Sequence, residues 1–287
     1  MNRAGLAPLL IALLLAAFAS QACRAQVFYS VVSPAGQQNW LLGTIHAEDE
    51  RVLDFPPVLD QALTQARTVG LELVPDREML QRLAAAMRLP EEQKLSERID
   101  EALYRRVRAA LEDHGIQADS VDRLRPWAAA LTLAQPPVRT GRFMDLELAR
   151  KAADHGAISV ALETVEEQLA FFTGLGDQAH VALLRQSVED HERGLEDFEA
   201  LVTAYLQADL EKLQQLASRQ LSQLPESVQQ KFRVQGITLR NIEMARRAQP
   251  LLDQGDALIA VGALHLPGEK GLIALLREQG NRVEAIY

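Results

Sequence analysis

The sequence of 287 residues contains a single cysteine. One cysteine excludes an internal disulfide framework and a zinc cluster held by several thiolates. Aromatic residues make up only 5% of the chain, and the net charge is −9. A role in binding nucleic acid is disfavoured because no basic stripe is available to neutralise phosphates. Long apolar runs are also lacking beyond the N-terminal segment, so the mature chain is predicted to contain no transmembrane span.

Residues 1–25 have the three-part layout of a secretory signal peptide. Arg3 supplies positive charge, an almost unbroken apolar run covers Leu6–Phe18, and small residues follow. The apolar run is short for a membrane span, although an uncleaved anchor is the alternative. We predict cleavage after Ala22 or Ala25 and export to the periplasm or out of the cell.

The only cysteine, Cys23, raises the question of a lipoprotein. Lipid attachment is disfavoured because Ser20 stands where such a site usually has leucine. After removal of the signal peptide, residues 26–287 are long enough to bury a large core as one domain. The sequence does not indicate an oligomeric state.

Strands are predicted near both ends of the mature chain, with helices between them. Val27–Val32 and Asn39–Ile45 predict a hairpin. The pattern indicates an α/β fold with a mixed central β-sheet built from N- and C-terminal strands, flanking helices, and a helical insert over about Asp177–Gln249. Further strands are predicted at Thr68–Val74, Ala157–Leu162, Ala257–Ala263 and Arg282–Ile286.

Helix boundaries are indicated by periodicity and by capping residues. Apolar residues at helical spacing predict a helix over Ser96–His114. Thr164 and Glu167 have the spacing of a capping box, so Thr164 is predicted to cap the helix that follows. A last helix is predicted over Gly268–Glu278.

Two segments, Gly43-Thr-Ile-His46 and Gly262-Ala-Leu-His265, repeat one pattern near opposite ends of the chain. Each follows an apolar run that predicts a buried strand. A glycine there lets the chain leave the strand at an angle that a side chain would forbid. Each histidine is then presented at a strand end, where α/β folds collect ligand and catalytic groups.

Neutral imidazole is a common ligand for zinc, manganese, cobalt or iron, and it also serves as a general base. We therefore predict that His46 and His265 meet in one site on a metal ion. The alternative is that each histidine caps its strand end by hydrogen bonding to the backbone.

Two glutamates are associated with other predicted strands. Glu72 lies inside an apolar strand, and a buried carboxylate is costly unless it is paired or bound to metal. The alternative is that Glu72 faces solvent while its leucine neighbours face the core. Glu163 ends another predicted strand, and its alternative role is a helix-start residue in contact with the helix N-terminus. With the two histidines, these glutamates would form a set of ligands for a divalent ion.

Arg240 and Asn241 are adjacent donors on a predicted helix. They could hold a carbonyl, carboxylate or phosphate group, or stabilise an oxyanion. The alternative is a solvated helix face, because two more arginines follow on the same helix. Asp145, at a helix start, is most simply an N-cap. Among the other histidines, His180 and His191 lie in charged helical stretches and are predicted to be solvated.

These residues together resemble the TraB/GumN family, which includes the Tiki proteases that trim Wnt proteins. The resemblance extends from about residue 27 to the C-terminus. The matching stretches are Trp40-Leu-Leu-Gly-Thr-Ile-His46, Gly70-Leu-Glu-Leu73, Arg125-Pro-Trp127, Met144-Asp-Leu-Glu147, Ala161-Leu-Glu-Thr-Val-Glu-Glu-Gln168, Arg240-Asn241 and Val261-Gly-Ala-Leu-His-Leu-Pro-Gly268.

The resemblance implies an α/β fold similar to that of erythromycin esterase and the haem-binding ChaN proteins. It also implies the metal-dependent peptidase activity of some members. By position, His46 and His265 become metal ligands, and Glu72 becomes the acidic ligand or base. Arg240 and Asn241 become substrate-holding or transition-state groups.

We predict an exported hydrolase that uses a divalent ion (Mn, Co or Zn) to cleave peptide bonds in a peptide or protein substrate. His46, His265 and a carboxylate, Glu72 first and Glu163 second, would hold the ion. The alternative is a non-catalytic periplasmic protein that binds haem or another small ligand in the same cleft. An accessory role in polysaccharide export is suggested only by the family name.

Overall fold

The protein is described by a computed structural model over residues 26–193 and 196–286, so the predicted signal peptide lies outside the described residues. Within these ranges, six strands form one sheet, and helices occupy most of the intervals between them. The strands are β1 (Phe28–Val32), β2 (Gln38–Thr44), β3 (Thr68–Leu71), β4 (Ile158–Ala161), β5 (Ala257–Gly262) and β6 (Arg282–Ala285).

The α-helices are α1 (Glu50–Leu53), α2 (Pro57–Gln65), α3 (Arg77–Ala86), α4 (Glu101–Asp113), α5 (Ala118–Val121), α6 (Pro126–Leu133), α7 (Met144–Asp154), α8 (Val165–Thr173), α9 (Asp177–Arg193), α10 (Glu196–Leu206), α11 (Leu210–Leu221), α12 (Glu226–Lys231), α13 (Leu239–Gln254) and α14 (Leu272–Glu278). Short 3₁₀ turns cover Leu95–Glu97 and Ala263–His265, and a π-helix covers Phe232–Thr238.

The sheet has the strand order β4-β3-β5-β2-β1-β6. β1 pairs antiparallel with both β2 and β6, whereas β2, β5, β3 and β4 are parallel neighbours. The predicted mixed sheet with flanking helices is therefore confirmed. Residues Ala257 to Val261 of β5 are all buried, as is typical of a central parallel strand with both faces covered.

The register of the parallel strands brings their carboxyl ends to one edge of the sheet. Thr44 of β2 pairs with Gly262 of β5, and Leu71 of β3 pairs with Ala260 of β5 and Ala161 of β4. Chemistry-bearing side chains in α/β folds gather at this edge. The residues that follow these four strand ends include His46, Glu72, Glu163 and His265.

Several predicted boundaries differ from the structure. β3 ends at Leu71 rather than at Val74, so Glu72 follows the strand and does not lie inside it. The helix predicted from Ser96 begins at Glu101, because the side chain of Asp100 accepts a hydrogen bond from the Leu103 N–H at 2.8 Å and caps the helix there.

The last helix also starts later than predicted. The chain turns through Gly268, whose φ of +94° is left-handed, and α14 begins only at Leu272. The predicted capping box of Thr164 and Glu167 is confirmed in both directions.

Two main hydrophobic clusters hold these elements together. The larger one surrounds the sheet and includes Leu41, Val69 and Ile259. A second one joins α4, α6 and α9, in part through Val107 and Leu184. Full burial of such a side chain stabilises the fold by about 1.5–3 kcal/mol. Among the helices of the described residues, none is both long enough and apolar enough to cross a membrane.

Candidate functional site

Arg240, near the start of α13, lies between two carboxylates. Its Nη2 atom lies 2.7 Å from Oε2 of Glu72 and 2.7 Å from Oε2 of Glu163, and its Nε donates to Oε1 of Glu163 at 2.8 Å. The side chain of Glu163 is 1% exposed and that of Arg240 is 14% exposed. The alternative of a solvated face at Arg240-Asn241 is therefore wrong, since Asn241 is fully buried as well.

The two carboxylates differ in their environments. Burial opposes ionisation of Glu72, but the positive charge of Arg240 and the N–H groups of Gly262 and Gln168 hold its pKa below the ordinary value; His265 contributes only when it is protonated. Burial raises the pKa of Glu163 above the ordinary value, against the opposing effect of Arg240. Glu72 is therefore the carboxylate that holds its negative charge more firmly.

Glu72 accepts hydrogen bonds on both oxygens. Oε1 receives the backbone N–H of Gly262 at 2.7 Å, and Oε2 receives the side-chain amide of Gln168 at 2.9 Å. These contacts join the end of β3 to the end of β5 and to α8. The alternative of a solvent-facing Glu72 is wrong, because its carboxylate points into the site and bridges three elements.

His265 is held in one tautomer by Asn241. The amide nitrogen of Asn241 donates to the carbonyl of Lys270 at 2.8 Å and to the carbonyl of His265 at 3.3 Å. The amide oxygen must then accept, and it lies 2.5 Å from Nδ1 of His265. Nδ1 therefore carries the proton, and Nε2 carries a lone pair.

Nε2 of His265 lies close to the carboxylate of Glu72. Nε2 lies 3.8 Å from Oε1 of Glu72, which is too long for a hydrogen bond. Burial lowers the pKa of His265 to about 4, so the ring is neutral at pH 7. A neutral imidazole with one nitrogen fixed by an acceptor and the other free has the arrangement of a metal-binding histidine.

His46 lies at the end of the neighbouring strand and has different partners. Its side chain is 58% exposed, and Nδ1 lies 3.8 Å from Oδ2 of Asp145. The ring stacks on Phe143 with centroids 4.1 Å apart and planes 6° from parallel. Among the described residues, no hydrogen bond, ion pair or ring contact joins His46 to His265. The pairing of β2 with β5 brings the two segments side by side, but a shared ion stays a prediction.

The described part of the chain contains no group of three or more His, Cys, Asp or Glu side chains arranged to hold a metal ion. The chemistry of the donors nevertheless suits a divalent cation. His265 offers a neutral nitrogen, and Glu72 offers an ionised oxygen. Metal bonds to such atoms are about 2.0–2.2 Å long, so the 3.8 Å between the two atoms is within the span of two bonds.

The glycines of the two Gly-x-x-His segments serve close packing rather than an unusual backbone angle. Neither has a positive φ. A Cβ atom at Gly43 would lie 2.7 Å from Cδ1 of Leu266 and 3.0 Å from Cα of Ala263. At Gly262, a Cβ atom would lie 3.2 Å from Oε1 of Glu72. The predicted reason for these glycines, a sharp exit from the strand, is therefore wrong.

Two residues of the site had no functional role in the sequence prediction. Gln168 contacts Glu72 from the first turns of α8, and its position four residues after the helix cap Thr164 was the available signal. Asp145 is not an N-cap, because α7 has Phe143 at that position without a side-chain cap. Asp145 instead lies beside His46.

Two other histidines, His180 and His191, are less exposed than predicted. His180 is half-buried, and its Nε2 lies 2.7 Å from the carbonyl oxygen of Phe172. The side chain of His191 is largely buried, and its ring contacts His114 with centroids 5.4 Å apart. The prediction that His180 and His191 are solvated is wrong.

A cavity of about 400 Å³ adjoins the site at Asn241. Volumes of this size are typical of small-ligand pockets. One wall is the π-helix Phe232–Thr238, and π-helical turns are frequent at functional sites. Its described lining includes apolar side chains and two cations but no carboxylate: Phe232, Arg233, Ile237, Leu264 and Lys270.

Comparison with known proteins agrees with the motifs. A family model described as the TraB/PrgY/gumN family matches residues 28–285, which is nearly the whole chain. The resemblance indicated by the sequence motifs is thereby confirmed. A search of curated proteins found no match, and a search of solved structures found none either.

Proposed function

The chain belongs to the TraB/PrgY/gumN family, and we propose that it is an exported hydrolase that uses a divalent metal ion to cleave peptide bonds. One observation carries the proposal. Nε2 of the neutral His265 ring lies 3.8 Å from the ionised carboxylate of Glu72, at the edge where the strand before His46 also ends. The choice of peptide bonds rests on the family resemblance.

His265 and Glu72 would hold the ion, with His46 as a further ligand from the adjacent strand end. A divalent ion in such a site lowers the pKa of water and polarises a carbonyl group. The ligand set of nitrogen and carboxylate oxygen suits manganese, cobalt or zinc. We retain Glu72 as ligand rather than base because its low pKa makes it a weak proton acceptor.

The neighbouring residues prepare these ligands. Asn241 keeps the proton of His265 on Nδ1, so that Nε2 stays free. Arg240 balances the charges of Glu72 and Glu163 in a poorly solvated place. Arg240 and Asn241 are therefore proposed to position the site. Their predicted roles as substrate-holding or transition-state groups would require N–H groups that are not already engaged in the contacts described above.

The cavity beside Asn241 is proposed to receive part of the substrate. Its apolar wall at Phe232 and Ile237 suits an uncharged side chain, and Arg233 and Lys270 suit a peptide carboxylate. We also propose that the protein acts after export, on the strength of the signal-like residues 1–25. The mass and N-terminal sequence of the protein recovered from the periplasm or medium test this part.

The site is tested by metal content and peptidase activity of the mature protein. We expect about one equivalent of bound Mn, Co or Zn in the wild type, lost in His265→Ala and Glu72→Gln together with activity on a peptide library. His155→Ala is the matched control, because His155 is exposed at the C-terminus of α7.

A folded His265→Ala variant that binds metal and cleaves peptides like the wild type would overturn the proposal. Haem titration distinguishes the alternative function. A Soret band in the wild type that disappears in His265→Ala or His46→Ala would favour a non-catalytic haem-binding protein, provided that no added metal ion produces peptidase activity.

A further inference from the structure

The surroundings of His46 include a carboxylate near Nδ1 and an aromatic ring. Oδ2 of Asp145 lies 3.8 Å from Nδ1 of His46, which is within ion-pair distance but too long for a hydrogen bond. The negative charge of Asp145 favours a proton on Nδ1 over a lone pair there, which leaves the lone pair of the neutral ring on Nε2. Asp145 lies in the first turn of α7, two residues after the N-cap Phe143.

Phe143 fixes the plane of the His46 ring. The two rings are nearly parallel, at 6°, with 4.1 Å between their centroids. Stacking restricts rotation of an imidazole that is otherwise more than half exposed. Phe143 immediately precedes α7, at the end of a stretch without regular secondary structure.

Glu48 ties that stretch to the segment that carries His46. Its carboxylate accepts the backbone N–H of Arg139 at 2.7 Å and of Thr140 at 3.2 Å, and that of Gly141 as well. Gly141 has a φ of +71°, which lets successive N–H groups converge on one anion. These three hydrogen bonds hold the pKa of Glu48 below its ordinary value, although burial opposes them.

We propose that residues 139–145 orient His46: Glu48 anchors the segment, Phe143 sets the plane of the ring, and the negative charge of Asp145 favours the proton on Nδ1. Glu48, Phe143 and Asp145 are positioning residues, since each acts through His46. The purpose assigned to His46 rests on the proposed function, but the orientation itself does not.

The orientation is tested by NMR on metal-free protein labelled with ¹⁵N-histidine. In the wild type, the neutral ring of His46 should carry its proton on Nδ1. The NMR resonances of the His46 ring protons should be shifted by the ring current of Phe143. Asp145→Leu and Asp145→Asn both remove the negative charge, so each should shift the neutral ring toward the Nε2–H form that predominates in unconstrained histidine, whereas Asp145→Glu keeps the charge and should retain more of the Nδ1–H form.

The anchor is tested with Glu48→Ala, which should remove more than about half of the ring-current shift of His46. Glu50→Ala is the matched control, because Glu50 is an exposed acid two residues further along. If metal binding depends on His46 as proposed, Asp145→Leu should also weaken it by about 10–100-fold, as is usual for loss of a group that orients a ligand.

The two proposals can fail separately. Unchanged His46 resonances in both Asp145→Leu and Glu48→Ala would overturn the orienting role, whatever the protein binds. A tautomer that responds to Asp145→Leu in a protein without metal affinity or peptidase activity would support the orienting role and refute the proposed function.

Discussion

Arg240 binds Glu163 in a bidentate manner through one edge of its guanidinium group, with Nε 2.8 Å from Oε1 and Nη2 2.7 Å from Oε2. The same Nη2 atom reaches Glu72. The positive charge of Arg240 therefore compensates two poorly solvated carboxylates. Removal of Arg240 leaves the negative charges of both carboxylates without a compensating cation.

We expect Arg240→Met to lower the free energy of unfolding by about 3–5 kcal/mol at pH 7. Without the cation, the pKa of Glu163 rises further above its ordinary value. The folded variant tolerates protonated Glu163 at low pH, but it loses stability as the pH rises through the folded-state pKa of Glu163. The difference in unfolding free energy between Arg240→Met and the wild type should therefore be smaller at pH 4 than at pH 8. Urea unfolding at several pH values measures both effects.

Arg246→Met is the control for that variant, because Arg246 is 65% exposed and its ion pair is with Glu243 in the same helix. Its stability should stay within about 0.5 kcal/mol of the wild type. The double variant Arg240→Met/Glu163→Gln should recover part of the loss. A single variant as stable as the wild type would show that the two carboxylates do not need Arg240.

Replacement of Asn241 should change the titration of His265. In Asn241→Asp, a carboxylate faces Nδ1, so the pKa of His265 should rise above its value of about 4. Asn241→Leu removes the acceptor and leaves the carbonyl of Lys270 unpaired, which should cost about 1–3 kcal/mol. NMR titration of His265 and urea unfolding give the two measurements. A pKa that is the same in Asn241→Asp as in the wild type would contradict the close contact between residue 241 and Nδ1 of His265.

Glu167 should make stability depend on pH in the acid range. Hydrogen bonds from Arg247, at 2.6 and 2.7 Å, lower the pKa of Glu167 from 4.5 to about 2. The associated stability is present above pH 4.5 and is lost as the pH falls toward 2. Glu167→Gln keeps the capping geometry but lacks the charge, and should cost about 1 kcal/mol at pH 7, since the pair is partly exposed and screened.

The difference between Glu167→Gln and the wild type should vanish near pH 2. Thermal unfolding of Glu167→Gln and of the wild type between pH 2 and pH 7 measures how the difference in their stability changes with pH. Curves that stay parallel over the whole range would indicate that the charge of Glu167 contributes nothing.

Gly43→Ala should be destabilising by about 1–3 kcal/mol, because the added methyl group meets Leu266 and the backbone of Ala263. Gly176→Ala is the control, since no atom lies within 4 Å of the added Cβ and φ is not positive. Unfolding by urea compares the two. An equal, small effect of both substitutions would show that the turn carrying His265 can move away.

Features set by neighbouring residues could be predicted from the sequence. The capping box of Thr164 depends on a spacing of three residues, and α14 ends at the predicted residue, Glu278, just before Gly280 with its φ of +88°. The strand ends that carry His46 and His265 followed from short apolar runs. Each of these signals lies within one element.

Contacts between distant elements could not be predicted in the same way. Glu72 and Arg240 are separated by 168 positions, and no spacing rule states that a guanidinium on α13 reaches the end of β3. The pairing of Asp145 with His46 depends on how the stretch before α7 folds back onto Glu48. Glu72 was assigned to the strand interior because the apolar run continues past Leu71, whereas the pairing of β3 stops there.

The position of β5 in the sheet also determines how late in synthesis the sheet can be completed. β5 is made after residue 256, yet it separates β2 from β3 in the sheet. A nascent chain can form the hairpin of β1 and β2, but it has no strand to join that hairpin to β3 and β4. Long-range strand pairing of this kind slows folding, and the sheet stays incomplete until β5 has been made. Because the N–H of Gly262 at the end of β5 also donates to Glu72, a chain that stops before β5 lacks this contact of the candidate site.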